Sequence, residues 1–434
     1  MRRQRTQSRP RVRTAAVRRW GVAGRWEGDL SRHERTHGND EASDRSGVDA
    51  DTGRTITVAV DADTGRSVAV ATVDDRVRRE PTARPASPGT YVARGWVDVQ
   101  VNGFGGHDVN TGTMTPERFD AMTRVLHAEG VARYLPTVVT NGVAHMRRCL
   151  AAVAAARAVS ATVTASVPGI HLEGPFVSPV DGARGAHPRE HVVPPDRVLF
   201  DDLQAAADGG IVLVTLAPEV PGALDLIAYL ADHGMVVAIG HSLADSETIR
   251  DAVAAGARLS THLGNGVPAE LPRHPNPIWD QLADDALTAS AIFDGHHLPD
   301  SVMRVLHRVK GPERLILISD AVALAHMPPG VYEGQVGGKV ELRADGRLTL
   351  VGTPYLAGSA SSLRDGVRTA VTRIGIPAPD ALRMVSSTPA RLLGLPEVDD
   401  VTVVQVTDDD VRVLTVAVDG NVVYRSGLSP GSDA

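Results

Sequence analysis

From about residue 91 onward, short apolar runs alternate with longer segments whose apolar positions repeat with helical spacing. Runs of this length are typical of buried strands. Eight of them predict strands, at residues 95–102, 131–139, 166–172, 211–216, 236–240, 257–261, 287–293 and 315–319. This alternation predicts an α/β fold, a (β/α)₈ TIM-like barrel of parallel strands. Residues 330–352 predict a hairpin inserted after the last barrel strand.

The pattern also divides the chain into segments. Residues 1–54 are basic and then acidic with little apolar periodicity, which predicts a disordered tail or a start codon assigned too early. A nucleic-acid-binding arm is the alternative left open for this tail. Residues 55–90 predict two strands and then a charged, proline-rich linker from 74, and residues 91–395 the barrel. Residues 396–434 predict three further strands, so both chain ends would form one small β domain.

Composition narrows the class of protein. The chain has 434 residues, 42% of them hydrophobic, which is enough for one barrel and an accessory domain. A net charge of -7 gives no reason to expect nucleic acid as a partner. No apolar run reaches the roughly 18 residues of a membrane span, and no apolar segment follows the N-terminal arginines as in a secretory signal. The single cysteine, Cys149, fits a reducing compartment and predicts a buried thiol. We therefore expect a cytoplasmic enzyme with no membrane partner.

Four of the predicted barrel strands end in a residue that can bind a metal or carry a proton: Glu173, His241, His262 and Asp320. The carboxyl ends of barrel strands form the active face of this fold. One carboxylate and two imidazoles suit zinc with a position left for water, and a nearby aspartate can act as base and then as acid. A single strand-end histidine or aspartate would be interpreted as structural, but four together predict one divalent metal ion per subunit. Zinc is favoured, with iron or another divalent ion left open.

Nine sequence motifs occur in one order along residues 91–395. They are GWVDVQVNG (95–103), HLEGPF (171–176), GAHP (185–188), LAPE (216–219), GHS (240–242), THLGN (261–265), DGHH (294–297), SDA (319–321) and LAGS (356–359). In these motifs the chain resembles the N-acetylglucosamine-6-phosphate deacetylases of the amidohydrolase superfamily, which are metal-dependent (β/α)₈ hydrolases.

The resemblance implies a role for each matching residue. Glu173, His241 and His262 would be the metal ligands, and Asp320 the catalytic acid and base. The remaining implied roles concern the substrate: Asn265 and the backbone of Gly266 would contact the sugar phosphate, His297 would polarise the substrate or contact the sugar, and His187 would lie on a mobile loop over the pocket. Arg273 would reach the phosphate, either in its own site or in a neighbouring subunit's, and the second arrangement implies a homodimer.

The first strand predicts how many metals bind. Many amidohydrolases have His-x-His there and hold a second metal, whereas this chain has Gln100 and Asn102. Neutral amides bind zinc poorly, so the sequence predicts a mononuclear site.

Three departures from the family pattern lie on the substrate side of the expected pocket. Gly266-Val267 stands where Ala-Met is usual, residues 274–281 differ from the usual continuation after Arg273, and His296 replaces an apolar residue. For His296 and His274, binding the substrate and a structural role both stay open.

The function predicted from the sequence is deacetylation of N-acetylglucosamine 6-phosphate to glucosamine 6-phosphate and acetate. One alternative is the same amide hydrolysis on a different N-acyl sugar or N-acyl amine. The other is a non-catalytic homologue that binds sugar phosphate.

Overall fold

The computed structural model describes four parts of the chain: residues 47–49, 54–333, 339–352 and 356–427. Most of the tail predicted at 1–54 therefore lies outside the described residues. Within that tail, β1 (Gly47–Asp49) is a strand that pairs antiparallel with the next one. The sequence analysis did not predict this strand.

A mostly antiparallel sheet is built from both ends of the chain, as predicted. Its N-terminal strands are β1, β2 (Arg54–Asp61), β3 (Ser67–Val73), β4 (Arg76–Pro81) and β5 (Thr90–Arg94). The C-terminal strands β19 (Val401–Val406), β20 (Val411–Val418) and β21 (Asn421–Arg425) complete it in the order β1-β2-β3-β4-β21-β20-β19-β5. A parallel pairing of β2 with β5 closes the sheet on itself.

Two boundaries of this sheet differ from the prediction. The segment predicted as a linker from residue 74 contains β4, in which only Val77 is buried, so its sequence carries almost no apolar signal. Backbone pairing with β3 holds β4 in place. Tyr91, which was assigned to the barrel, lies in β5 and pairs with the small sheet, so the barrel begins at Trp96.

The eight predicted barrel strands are all present. They are β6 (Trp96–Val101), β9 (Val131–Val139), β10 (Ile170–Glu173), β11 (Ile211–Leu216), β12 (Val236–Ile239), β13 (Leu259–Ser260), β14 (Thr288–Ile292) and β15 (Leu315–Ile318). Neighbours pair in parallel from β6 to β15. A bridge between Val101 and Ala321 brings the last strand back to the first. Strand β10 starts later than predicted. A short helix capped by Ser160 extends to Ser166, and residues 167–169 connect it to the strand.

Helices connect the barrel strands and cover them. They are α1 (Pro116–Ala128), α2 (Val143–Val159), α3 (Ala161–Ser166), α4 (Arg197–Ala206), α5 (Ala223–Asp232), α6 (Ser246–Ala255), α7 (Pro277–Ala283), α8 (Asp300–Lys310), α9 (Leu363–Arg368), α10 (Ala378–Val385) and α11 (Ser387–Leu392). A π-helical turn at Thr369–Ile374 follows α9. Cys149 in α2 is buried, as predicted. Within the described part of the chain, no helix has both the length and the apolar content to cross a membrane.

Two smaller sheets complete the fold. Strands β7 (Gly103–Phe104) and β8 (His107–Asp108) form a ribbon directly after β6. Strands β16 (Gly330–Glu333), β17 (Lys339–Leu342) and β18 (Leu348–Leu350) form a three-stranded sheet where a two-stranded hairpin was predicted. The third strand was missed because it is only three residues long.

A separate apolar cluster fills the barrel interior. Its members are Val97, Val99, Leu135, Leu213, Ala238, Leu259, Ile292, Ile316, Ile318 and Ala390. All but Ala390, which comes from α11, lie on barrel strands. Because apolar side chains occupy the interior, the polar strand ends above them are the place where chemistry can occur.

The barrel and the small sheet meet at a tightly packed seam. Trp96 is fully buried, and a Cβ atom on Gly130 would come within 2.9 Å of its ring. The Thr402 hydroxyl accepts a hydrogen bond from the Trp96 backbone nitrogen at 3.2 Å and donates to the Gly130 carbonyl at 2.9 Å. These contacts fix the first barrel strand relative to β19.

An ion pair crosses the same seam. The Arg133 guanidinium on β9 donates two hydrogen bonds to the Asp400 carboxylate, the second at 3.1 Å, and another to Asp419 at 2.7 Å. The side chains of Arg133 and Asp400 are only 14% and 3% exposed. Removing one partner of a buried ion pair leaves the other charge uncompensated, which is strongly destabilising.

We expect Asp400→Asn to lower the free energy of unfolding by about 3 kcal/mol, because Arg133 keeps its charge, loses its buried carboxylate and is left with Asp419, whose side chain is 48% exposed. Asp202→Asn is a matched control, since Asp202 pairs with Arg147 between two helices at side-chain exposures of 39% and 54%. That exposed pair contributes about 1 kcal/mol or less. Urea denaturation of both variants checks the difference, and equal losses would show that the seam pair contributes no more than a surface pair.

Candidate metal centre

The four candidate residues lie together at the carboxyl ends of the barrel strands. Glu173 is the last residue of β10, and each of the other three lies two residues beyond its strand: His241 after β12, His262 after β13 and Asp320 after β15. The backbone φ angles of His241, His262 and Asp320 are 50°, 30° and 47°. Residues other than glycine rarely adopt this left-handed conformation, which costs on the order of 1 kcal/mol or more each. Such strain clusters at functional sites and requires surrounding contacts to maintain it.

Three of these side chains converge on one point. The Oε1 atom of Glu173 lies 3.0 Å from Nε2 of His241 and 3.0 Å from Nε2 of His262. The candidate ligand atoms all lie within 4.8 Å of one another, and all three residues are buried. Two imidazoles and one carboxylate are a donor set that zinc and similar divalent ions bind.

The hydrogen-bonding pattern fits a cation at this point. Nδ1 of His241 lies 3.0 Å from the backbone carbonyl of Ala183, which can only accept, so Nδ1 carries a proton. In the neutral ring, Nε2 then presents a lone pair toward the oxygen of Glu173. Burial by itself would raise the pKa of Glu173, but the two histidines hold that pKa well below its usual value, so the carboxylate is charged. A divalent cation between these atoms would replace the contacts among them with ligand bonds.

His187 and two glycines pack closely against His241. The ring centroid of His187 is 4.2 Å from that of His241, and its Nδ1 is 2.7 Å from the hydroxyl of Thr140. Burial lowers the pKa of His187 to about 3, so this ring is neutral. Cβ atoms on Gly185 or Gly266 would come within 3.0 Å of the His241 ring. The loop that carries His187 therefore contacts a metal-ligand candidate directly.

A chain of buried polar groups lies directly beneath the metal-ligand candidates. Nε2 of His171 is 2.8 Å from the hydroxyl of Thr215, which is 2.7 Å from the hydroxyl of Thr261, and Nδ1 of His171 is 3.4 Å from that of Thr137. Gly240 makes this possible, since a Cβ atom there would come within 2.6 Å of Thr215 and 2.8 Å of Thr261. Sequence reasoning missed these residues, because threonines in strands are common and only their neighbours in space reveal the chain.

Glu219 is another residue without a role in the sequence analysis. Its carboxylate accepts hydrogen bonds from the Ser242 hydroxyl at 2.7 Å and from the Leu243 backbone nitrogen at 2.6 Å. These are the two residues that follow His241. Glu219 therefore holds the chain segment in which His241 adopts its left-handed conformation. Its presence in the LAPE motif was the only sequence signal.

Asp320 lies at the edge of the metal-ligand set. One of its oxygens, Oδ1, accepts hydrogen bonds from the side-chain amides of Gln100 at 3.1 Å and Asn102 at 2.7 Å. Burial raises the pKa of the Asp320 carboxyl to about 6, with the charge of Glu173 adding to the rise. The nearby histidines and the Asn102 amide oppose it.

His297 is oriented by an aspartate that the sequence analysis did not single out. Its Nδ1 lies 2.6 Å from Oδ2 of Asp294, whose other oxygen accepts from the backbone nitrogens of residues 296 and 297. A carboxylate can only accept there, so Nδ1 carries a proton. The neighbouring His296 instead lies 3.1 Å from the backbone carbonyl of Asp345 in the β17–β18 turn. This contact favours the structural role of His296 over a substrate-binding role.

The remaining substrate-side candidates lie on the segment between β13 and α7. Asn265 is half-buried, and its backbone nitrogen donates to the His262 carbonyl at 2.9 Å. Arg273 and His274 are exposed. Among the described residues, no contact joins Arg273 to the metal-ligand set. The structure thus brings together the four strand-end residues, His187 and Gly266, and leaves Arg273 on the surface.

Known proteins are similar to this chain over most of its length. The sequence profile described as the amidohydrolase family matches residues 91–423. The chain is 31% identical over 370 residues to the N-acetylglucosamine-6-phosphate deacetylase of Bacillus subtilis (strain 168), covering 81% of this chain and 92% of that protein. It is 33% identical over 349 residues to the N-acetylgalactosamine-6-phosphate deacetylase of Shewanella sp. (strain ANA-3), covering 78% and 84%.

A solved structure is similar over the same region. The crystal structure of N-acetyl-D-glucosamine-6-phosphate deacetylase from Mycobacterium smegmatis has a TM-score of 0.73 and 31% sequence identity, and it covers 85% of this chain and 100% of that one. Together, the matches confirm the resemblance that the sequence motifs predicted.

We expect Glu173→Gln to weaken divalent-metal binding by at least about 100-fold, because it removes the only charged ligand candidate of the set. Metal content after dialysis and the loss of thermal stability on chelation measure this effect. The wild-type protein should lose stability with a chelator, and the variant should show no further loss. Glu190→Gln, an exposed position on the neighbouring loop, is the control. Full metal content in the Glu173 variant would exclude this centre.

Proposed function

The chain belongs to the amidohydrolase family, and we propose that it removes acetate from N-acetylglucosamine 6-phosphate to give glucosamine 6-phosphate. The observation that carries this proposal is the convergence of Glu173, His241 and His262 beside Asp320 at the open ends of the barrel strands. The named relatives support the choice of substrate. By their names they are deacetylases of N-acetylhexosamine 6-phosphates, and this chain matches most of their length.

Glu173, His241 and His262 hold one divalent metal ion in this proposal, with zinc preferred for a set of two imidazoles and one carboxylate. A metal ion there would supply Lewis acidity, which would polarise an amide carbonyl and lower the pKa of water, so that hydroxide is available to attack the carbonyl near neutral pH. The protein's contribution is to keep the ligand atoms in place, through Ala183 on the His241 ring and Glu219 on the segment that follows it.

Asp320 moves the proton. As a carboxylate it takes a proton from the attacking water, and as an acid it returns that proton to the amide nitrogen when the C–N bond breaks. The hydrogen bond to Asp294 orients the ring of His297, which in this proposal contacts the substrate and polarises its amide carbonyl.

Asn265, the backbone of Gly266 and Arg273 bind the sugar phosphate in this proposal, and His187 lines the pocket beside His241. Because Arg273 is exposed in the single chain, its role fits a homodimer in which it reaches the neighbouring subunit's phosphate. A guanidinium is suited to this task because its planar donors match two phosphate oxygens. The single cysteine supports a cytoplasmic location.

A second substrate is supported by one specific comparison. The Shewanella relative acts, by its name, on N-acetylgalactosamine 6-phosphate, at 33% identity to this chain. The two sugars differ only in the configuration of one hydroxyl, and the segment at 264–281 departs from the family pattern on the substrate side. The same chemistry on this sugar, or on another N-acyl amine, is the alternative that the assay must separate.

We expect the metal-loaded protein to release acetate from N-acetylglucosamine 6-phosphate and to act at least about tenfold more slowly on the galacto epimer and on the sugar without phosphate. Asp320→Asn should lower kcat by at least about 100-fold, because the amide can neither accept nor return the proton. Acetate release measured across the three substrates checks both points. Preference for the galacto epimer would transfer the assignment to that sugar. No release from any of them would contradict the proposal.

The pH dependence follows from the same residue. Asp320 must be ionised to act as a base, and its pKa is raised to about 6, so kcat/KM should fall by about tenfold per unit as the pH drops below about 6. Metal content measured at each pH separates this effect from loss of the ion. A rate that stays constant to pH 4.5, with metal retained, would remove Asp320 from the role of base.

A further inference from the structure

We propose that Gln100 and Asn102 are positioning residues that bind one oxygen of Asp320, Oδ1, and so reserve the other, Oδ2, for proton transfer. This inference rests on the proposed function, in which Asp320 exchanges protons with water and substrate. It gives the two amides, one on β6 and one directly after it, an active role beyond their failure to hold a second metal ion.

The contacts point to a single oxygen. Nε2 of Gln100 and Nδ2 of Asn102 lie 3.1 Å and 2.7 Å from the same atom, Oδ1 of Asp320. Both amide nitrogens are donors and a carboxylate is an acceptor, so the direction of each hydrogen bond is unambiguous. Within the described residues, no hydrogen bond involves Oδ2. Two donors therefore occupy one oxygen of the carboxylate and leave the other one available.

The backbone holds these donors rigidly against Asp320. The nitrogens of Asn102 and Gly103 donate to the Ala321 carbonyl at 2.8 Å and 3.1 Å, directly after Asp320 in the chain. One level deeper, the Asp98 carboxylate accepts from the Ser319 backbone nitrogen at 3.3 Å, directly before Asp320. The residues on both sides of Asp320 are thus bonded to β6 or to the two residues that follow it, which restricts the movement of the Asp320 backbone.

Gln100 is buried, so its hydrogen bond to Asp320 has no substitute from solvent. Gln100 is 1% exposed, so water cannot replace its amide if the side chain is removed. A buried donor to a charged acceptor stabilises the charged form, and two of them partly offset the burial and the negative charge of Glu173 around Asp320. The amides therefore keep Asp320 both oriented and able to ionise.

A purely structural role would have a different signature. If the amides only closed the barrel between β6 and β15, their removal would lower stability and leave the chemistry of the remaining folded enzyme unchanged. If they bind Oδ1 as proposed, their removal affects the proton-transfer step in fully folded, metal-loaded protein. The distinguishing measurements are kcat against KM, the acid limb of the pH profile, and the vibrational bands of the Asp320 carboxylate.

The experiment uses two variants in the full-length, metal-loaded protein. Gln100→Met has similar length and shape and removes the donor. Asn102→Asp has nearly the same shape and places a carboxylate against Oδ1. We expect kcat to fall about tenfold for Gln100→Met and about 100-fold for Asn102→Asp, with KM changed by less than about threefold. The acid limb of kcat/KM should move to higher pH, by about one unit for Asn102→Asp.

Asn141→Asp is the matched control. It adds the same charge just beyond the end of β9 and keeps the acceptor that receives the Gly142 backbone nitrogen at 2.8 Å. We expect its kcat and acid limb to match the wild type. Metal content must remain one ion per subunit in every variant, since a second ion bound by Asn102→Asp would alter the rate for another reason. If Asn102→Asp fails to fold, Gln100→Met alone decides the outcome.

Infrared spectroscopy tests the inference without any substrate. In protein labelled with ¹³C-aspartate, the bands lost in Asp320→Asn belong to the Asp320 carboxylate. A carboxylate with both hydrogen bonds on one oxygen has widely separated antisymmetric and symmetric stretches, and this separation should narrow in Gln100→Met. Unchanged bands and an unmoved acid limb would overturn the inference. If wild-type protein hydrolyses no acetamido sugar, the proposed function fails, and the infrared result still decides whether the amides bind Oδ1.

Discussion

Three candidate ligand atoms held within contact distance are the constraint on which this structure depends. Oε1 of Glu173 lies 3.0 Å from two imidazole nitrogens, so one buried carboxylate oxygen joins two strand ends. His241 and His262 also adopt left-handed backbone conformations to reach it. The surrounding contacts compensate: the Ala183 carbonyl fixes one ring, Glu219 fixes the segment after His241, and the buried chain through Thr215 and Thr261 supports the strand ends from below.

The closure of the barrel has a chemical consequence as well as a topological one. Strand β15 must return to β6 for the sheet to close, and Asp320 lies where the two strands meet. The amides of Gln100, on β6, and Asn102, directly after it, therefore contact the residue to which we assign proton transfer. The packing of Trp96 against β19 extends this rigidity to the small sheet. Fold closure, anchoring of the first strand and orientation of Asp320 thus depend on the same backbone segment.

The sequence alone was sufficient to predict the eight barrel strands, the four residues at their ends and the family. Apolar runs mark buried strands independently of their partners, and the polar residue that ends such a run is visible in one dimension. Strand β4 was not predicted because it buries only Val77. The hydrogen-bonded side chains from His171 to Thr261 were not predicted because they belong to different strands. Gly240 illustrates the limit. A glycine after a strand is an ordinary turn signal, and only the structure shows that it lets two threonines meet across β12. Contacts to backbone carbonyls, such as Ala183 with His241, leave no sequence signal at all.

The departures from the family pattern have different physical meanings. Gly266 has a φ of 62°, and a Cβ atom there would lie 3.0 Å from the His241 ring, so glycine permits a close approach to a metal-ligand candidate. His296 contacts the carbonyl of Asp345, which links the β17–β18 turn to the residue next to His297. The first change concerns the ligand set, and the second concerns the contact between the 294–297 segment and the inserted sheet. The inserted three-stranded sheet therefore contacts the residue next to the one that we assign to the substrate's amide oxygen. Since Asp294 holds His297 from within the same turn, the orientation of His297 does not depend on the inserted sheet alone.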